Sequence, residues 1–313
     1  MRGEVGLVDA GDGRRLERFG ARLVDRPAPG ADGPRRDPAP WFRADLRFDP
    51  GRGWTARGGA DATEAWTVEI DGVTLELRPT SSGGLGLYPE HAANLGWLAA
   101  RVARRRASGG EEDPAPAVLN LFAHTGLATL ALARAGAAVA HVDAARSAVA
   151  WARRNAELSG LADRPVRWLV DDALAFVQRE ARRGRQYAGF VLDPPSFGRA
   201  GGRGGGRPSG AEPGGRGRRD RGRRGGRAAH GEWTLREDLP ELLEACAAIA
   251  EEDAFVLLTA HSTGLDPADL ADELASAFRS SEPSIDELTL EAESGARLDL
   301  GWAVRLDPLE PAP

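Results

Sequence analysis

A chain of 313 residues, 42% hydrophobic and 28% charged, has room for one large domain with an appendage or for two modest domains, and it is too apolar to be disordered throughout. Its net charge of −6 excludes a uniformly basic nucleic-acid binder, and its single cysteine, Cys246, excludes an internal disulfide and a cysteine-based metal cluster. The five histidines (His91, His124, His141, His230, His261) include no pair at the spacing of helical metal ligands, so no metal is expected. No apolar run reaches bilayer length and Met1–Val5 starts no hydrophobic signal, so the expected location is the cytoplasm, with no membrane partner. All 41 basic residues are arginine, which, with 40 glycines and 21 prolines, reads as the codon bias of a G+C-rich genome and lowers the weight of any arginine cluster.

Residues 1–80 read as a small β-rich module. Leu7-Val8-Asp9, the turn Gly11-Asp12-Gly13 and Ala21–Val24 make a hairpin-like start, followed by a Pro/Gly-rich loop from Pro27 to Pro40. Trp66, Val68 and Ile70 then alternate with polar residues up to Asp71-Gly72, and Val73, Leu75 and Leu77 resume the alternation, which predicts a hairpin. From 81 to 313 the texture changes. A helix is predicted over His91–Arg106, then strands at 117–120, 139–143, 166–170, 190–193 and 255–260 alternate with helices at 127–135, 147–158, 172–182, 238–250 and 267–278. This pattern predicts an α/β fold with a doubly wound, mostly parallel seven-stranded Rossmann-like sheet. The last two strands, 287–291 and 302–306, have no room for a helix between them and should close the sheet as an antiparallel hairpin. One segment interrupts the series: residues 199–230 carry ten arginines, Glu212 and Asp220 as the only acids, many glycines and almost nothing apolar, so a flexible insertion is expected.

Chemistry in such sheets gathers at the carboxyl ends of the strands. The first of these strands runs into Asn120-Leu121-Phe122-Ala123-His124-Thr125-Gly126, a turn rich in small residues that opens a helix. It is not G-x-G-x-x-G, and Phe122 and His124 crowd positions a pyrophosphate loop keeps small, which counts against a dinucleotide. Asp143 closes the next strand and can accept both ribose hydroxyls, or cap the helix that Ala144 begins. Asp171-Asp172-Ala173, after the third strand, offers a side chain and an amide to an adenine edge. The fourth strand ends in Asp193-Pro194-Pro195-Ser196-Phe197. Two prolines withdraw two amide donors and leave the Asp193 carboxylate and the Pro194 carbonyl as acceptors beside the Phe197 ring, an arrangement suited to a planar base with an exocyclic amine.

Taken in order, Gly86-Leu87-Tyr88-Pro89-Glu90-His91-Ala92-Ala93-Asn94, Asn120–Gly126, His141-Val142-Asp143, Ala150–Ala156, Asp171–Leu174, Leu192–Gly198 and Trp233–Leu243 resemble bacterial class I methyltransferases related to the enzymes that methylate 23S ribosomal RNA of the large subunit. The resemblance implies S-adenosylmethionine as cofactor, held by Asn120, Phe122, Ala123, Thr125, Gly126, Asp143, Ala144, Asp171, Asp172, Ala173 and Asp193, with Tyr88 and His91 helping to cover it. It implies Asp193, Pro194, Pro195 and Phe197 as the residues that orient the acceptor, and RNA, ribosomal RNA foremost, as the partner.

Two departures bear on the reaction. Methylation at carbon 5 of cytosine needs a cysteine nucleophile, yet Cys246 recurs with Leu239, Leu242, Leu243 and Ile249 at helical spacing and so reads as core. His91 stands where relatives are expected to carry glutamine. His124 and His261 sit near the same rim, but nothing in the sequence names a partner for either, and both stay outside the catalytic set. The competing readings are an RNA-binding protein that keeps a methyltransferase fold without turnover, and a methyltransferase acting on something other than RNA; a nicotinamide enzyme would need a phosphate-cradling glycine loop that is missing here.

Overall fold

The computed structural model describes residues 5–108, 114–195, 233–261, 266–279 and 283–307. Phe197 and the arginine–glycine stretch 199–230 lie outside these described residues.

The first five strands, β1 (Val5–Gly11), β2 (Arg14–Phe19), β3 (Arg22–Pro27), β4 (Leu46–Asp49) and β5 (Gly53–Ala56), form one sheet in that order. The hairpin β6 (Trp66–Ile70) and β7 (Val73–Leu77) follows. Its turn is the Asp71-Gly72 pair, at φ 48° and 71°, the double positive φ that a two-residue hairpin loop demands. Strand β2, which pairs with β1 and then with β3, replaces the direct hairpin of Leu7–Asp9 with Ala21–Val24 expected from the sequence; strands β4 and β5, also unforeseen, are four residues each, too short for alternation to register against the surrounding loop.

The second layer begins with a 3-10 turn over Pro89–Asn94 that runs into α1 (Leu95–Ser108). The predicted helix over His91–Arg106 is therefore corrected at its start: one turn of 3-10 geometry has nearly the same side-chain period as α-helix, and Pro89 at its head opens either equally well. Then come β8 (Ala117–Leu121), α2 (Leu127–Ala135), β9 (Ala138–Asp143), α3 (Arg146–Leu158), β10 (Val166–Val170), α4 (Ala173–Arg182) and β11 (Tyr187–Leu192). The series ends with α5 (Leu235–Ala247), β12 (Ala250–Ala260), α6 (Pro267–Phe278), β13 (Ser284–Glu291) and β14 (Arg297–Leu306). Helix α5 stops three residues short of the predicted end because Ala250 already pairs with Tyr187 as the start of β12.

These strands form a seven-stranded sheet in the order β10-β9-β8-β11-β12-β14-β13, parallel except for β14 and β13, which close it as the expected antiparallel pair. Alternation along the strands builds two cores. Leu119, Leu121, Phe190, Leu192, Val256 and Leu258 face α4, α5 and α6, whereas Val118, Val139, Val191 and Leu257 face α1 and α2. Cys246 lies wholly buried in the first of these with Leu239, Leu242, Leu243 and Ile249, and burial pushes its thiol pKa up, as expected of a core residue.

The N-terminal strands are not a free appendage. The hairpin packs on α2 and α3, where Glu76 N donates to Asn155 Oδ1 (2.9 Å) and Trp151 Nε1 donates to the Glu76 carbonyl (2.9 Å). At the other end β1 packs against the β13–β14 hairpin through Leu7, Ala10, Ala296 and Leu298. Fully buried Asp9 pins that contact, accepting from Trp41 Nε1 (2.8 Å), Ser294 Oγ (3.0 Å) and the amides of Arg36 and Asp37 (3.2 and 3.1 Å). Burial alone would raise its carboxyl pKa; these four donors bring it below the usual value. Asp9→Ala strands all four donors, and a loss of roughly 3 kcal/mol is expected from urea unfolding. A loss under about 0.5 kcal/mol would show that the clasp does not hold the module.

Candidate active site

In the sheet order, β9 and β10 lie on one side of β8, and the chain then crosses to β11 on the other. The carboxyl ends of β8 and β11 therefore flank the topological switch point, where open α/β sheets leave a crevice. The residues after β8 and β11 are the loop 122–126 and Asp193-Pro194-Pro195.

The loop is held in an unusual shape. Phe122 (φ 54°) and His124 (φ 48°) are non-glycine residues in the left-handed region, a strain of about 1–2 kcal/mol each that surrounding contacts must offset. Those contacts are visible. Ala123 N donates to the Val142 carbonyl (3.1 Å), and His124 N donates to Asp143 Oδ2 (2.8 Å). Thr125 Oγ1 donates to the Gly86 carbonyl (2.5 Å), and Asn155 Nδ2 to the Thr125 carbonyl (2.9 Å). Beneath the loop, buried Asn120 donates to Thr129 Oγ1 (2.8 Å), which meets His141 Nδ1 at 2.9 Å. Burial drives the His141 pKa down to about 3, so that ring is neutral and structural.

The cleft at the switch point is lined by Tyr88, His91, Asn120, Phe122, Ala123, His124, Thr125, Gly126, Asp193 and Thr259, among others, and so brings together eight of the residues predicted to hold or cover the cofactor. The remaining five stand on the same rim without lining it. Asp143 at the end of β9 accepts from His124 N and Ala145 N (2.8 Å each) with neighbouring Ala144 exposed, so the carboxylate shapes the loop and the turn before α3 without capping that helix, and it retains lone pairs for further donors. Asp172 is the N-cap of α4, accepting from Ala175 N (2.9 Å); Asp171 is ion-paired with Arg179; Ala173 is buried. Of the acceptor-orienting set, Asp193 lines the cleft, Pro194 is buried and Pro195 exposed beside it.

Asp193 has company that the sequence did not reveal. Its Oδ1 accepts from Thr259 Oγ1 (2.6 Å) and meets His261 Nε2 at 3.2 Å, while Oδ2 lies 3.3 Å from His91 Nε2. His261 Nδ1 contacts the Leu300 carbonyl at 3.0 Å and lies 3.9 Å from Glu90 Oε1. Burial would raise the Asp193 carboxyl, but the neighbouring imidazoles of His91 and His261 hold it well below the usual carboxylate range. Burial likewise would lower His261, yet the hydrogen bond and charge of Asp193, with Glu90 behind, raise it to about 9. The Tyr88 ring stands over this cluster, its centroid 5.3 Å from that of His124 and 6.2 Å from that of His261. One signal could have found this pairing: β11 and β12 are parallel neighbours with Leu192 beside Leu258, which sets Asp193 next to Thr259.

The residues present fit S-adenosylmethionine: a strained strand-to-helix loop at the switch point, the Asp143 carboxylate at the end of the neighbouring strand, and the half-buried Asp193 carboxylate lining the cleft. Glycine is required at two points of this cradle. A methyl on Gly86 (φ 83°) would lie 2.4 Å from Trp151 Cζ2, and one on Gly126 (φ 93°) 3.0 Å from Ala152 Cβ. The cleft holds about 60 Å³ in this structure, small beside the ~300–1,000 Å³ of ligand pockets.

No family profile matches the chain. Among curated proteins it is similar to the ribosomal RNA large subunit methyltransferase K/L of Methylococcus capsulatus, 36% identical over 113 residues, which is 36% of this chain and 14% of that protein. It is also similar to the ribosomal RNA large subunit methyltransferase K of Neisseria meningitidis, 36% identical over 89 residues, 28% of this chain and 25% of the other. The match thus spans a quarter or less of either relative. A Streptococcus mutans protein solved as a candidate SAM-dependent methyltransferase shares the fold, with a TM-score of 0.68 at 13% identity over 97% of this chain and 75% of its own. The crystal structure of the SAM-dependent methyltransferase from Agrobacterium tumefaciens superposes with a TM-score of 0.81 at 30% identity, over 98% of this chain and 91% of that one. A likeness of that extent along both chains, on a sheet whose switch point carries this cleft, places the protein in the S-adenosylmethionine-dependent methyltransferases, with S-adenosylmethionine as its cofactor.

Proposed function

We propose that the protein transfers the methyl group of S-adenosylmethionine to a nucleobase of RNA, ribosomal RNA being the substrate class, in the cytoplasm. The observation that carries the reading is the junction of the strained 122–126 loop with Asp193-Pro194 in one cleft. Cofactor and acceptor would meet there in line, and the catalytic contribution would be mostly positioning. Asp193 Oδ2 faces the cleft with acceptor capacity left, so an exocyclic amine can donate to it and to the Pro194 carbonyl while its lone pair points at the methyl. The RNA assignment is supported by the names of the curated relatives, ribosomal RNA methyltransferases matched over part of the chain. Phe197 is proposed to stack on the base.

Nitrogen is favoured over carbon 5 because the chain's only thiol is in the core between α5 and the sheet. We read residues 1–80 and 81–313 as two modules working as one unit, since the first is tied to both α3 and β13. Comparing nucleosides of ribosomal RNA from cells with and without the gene, by mass spectrometry, should show one N-methylated nucleoside missing, restored by a Cys246→Ala copy. If no RNA nucleoside changes while methylation of a protein or small molecule disappears, the RNA reading is wrong.

A further inference from the structure

We propose that His91, Asp193 and His261 form a binding site for a single divalent transition-metal ion, of the zinc class, at the acceptor end of the cleft. The three come from separate parts of the chain: the 3-10 turn before α1, the end of β11 and the end of β12. One ligand atom from each can be chosen so that all lie within 4.8 Å of one another. Metal–ligand bonds of about 2.0–2.2 Å place neighbouring ligands roughly 3.0–3.4 Å apart in tetrahedral or octahedral sites. Asp193 Oδ2 lies 3.3 Å from His91 Nε2 and Oδ1 lies 3.2 Å from His261 Nε2, so each imidazole is within that range of one oxygen and the carboxylate would hold the ion through both.

What surrounds these groups resembles the support given to metal ligands. A metal-binding imidazole characteristically donates its second N–H to a carbonyl or carboxylate, which fixes the tautomer. His261 Nδ1 does so to the Leu300 carbonyl at 3.0 Å, leaving Nε2 as the atom turned inward. A ligating carboxylate is itself hydrogen-bonded, and Thr259 Oγ1 holds Asp193 Oδ1 at 2.6 Å. His91 Nε2 is buried close to Asp193, yet has no hydrogen bond of acceptable geometry among the described residues, a position better suited to a ligand than to a donor. Behind the cluster stands Glu90, 4% exposed, whose Oε2 has no hydrogen-bond partner among the described residues. This further carboxylate, 3.9 Å from His261 Nδ1 through its other oxygen, adds negative charge beside the site.

Two imidazoles and one carboxylate form a donor set for zinc, iron or cobalt rather than magnesium or calcium, and three protein ligands leave a position open. His91 and Asp193 line the cleft, so the open position would face the acceptor atom. There the ion would act as a template, holding an oxygen or ring nitrogen of the base and leaving the amine lone pair free for the methyl. Helical spacing, which gave no metal expectation from the sequence, does not register ligands assembled from three strand and turn ends.

The test uses the full chain, treated with chelator and dialysed, then titrated with Zn²⁺ alone by calorimetry and Co²⁺ alone by visible absorption. Neither cofactor nor RNA is present, so failure of the metal site and failure of the RNA reading are separable. One ion per chain is expected, with Co²⁺ ligand-field bands, and the paired His91→Gln/His261→Gln replacement should weaken binding at least ~100-fold in a chain that circular dichroism shows to be folded. If the pair does not fold, His261→Gln alone should weaken it at least ~tenfold. No uptake by the wild-type chain, or uptake unaltered by these replacements, overturns the site.

Discussion

Asp193→Asn is expected to lower methyl transfer about 1,000-fold, the scale on which a single preorganised electrostatic group contributes to an active site. The substitution keeps shape and changes chemistry. An amide replaces the carboxylate, so the anion that Thr259 Oγ1 and His261 Nε2 are bonded to is lost and an NH₂ turned their way meets donors. It also removes the negative charge that offsets the His261 imidazolium in a buried setting. The assay is single-turnover methyl transfer to ribosomal RNA from cells lacking the gene, with cofactor affinity measured in parallel. Loss of rate with affinity retained within about tenfold assigns the effect to the reacting end of the cleft. A rate within tenfold of the wild type would remove Asp193 from the chemistry.

Gly86→Ala should destabilise the protein by about 3 kcal/mol, combining the left-handed penalty with overpacking. The new methyl meets Trp151, whose ring has little freedom to retreat: its Nε1 is bonded to the Glu76 carbonyl at 2.9 Å and the Arg78 guanidinium stands 5.1 Å from its centre. Because the Gly86 carbonyl also receives Thr125 Oγ1, displacement of this turn moves the cofactor loop and Tyr88 together. Affinity for S-adenosylmethionine should fall at least tenfold, and the melting temperature by on the order of 6 °C. Gly160→Ala is the control, since Gly160 has φ 66° with nothing within 4 Å and should lose only the backbone term, about 1 kcal/mol. Equal effects at the two positions would mean that the Trp151 contact plays no part.

Local, periodic features are legible in the amino-acid sequence itself. The Asp71-Gly72 hairpin, the α/β alternation and the antiparallel close of the sheet all follow from side-chain period and turn chemistry acting over a few residues. Strands β4 and β5 escape such reading because four residues carry too little alternation, and the 3-10 turn before α1 escapes it because its side-chain period mimics α-helix. The loop 120–126 and Asp193 can be named because each ends a recognisable strand. The histidines cannot be placed in the same way: His261 and Asp193 are 68 residues apart in sequence, and only the register of β11 with β12 makes them neighbours. Asp172 shows the converse, since a carboxylate at a strand end is equally a helix cap, and here it caps α4.

Calorimetric titration of the folded chain with S-adenosylmethionine and its demethylated product tests the central claim most directly. The account predicts one equivalent of either bound per chain, with affinity lowered at least tenfold by Asp143→Ala, the carboxylate that shapes the loop and is proposed to hold the ribose. Absence of binding heat in a folded sample, confirmed by a melting temperature that neither compound raises, would contradict it.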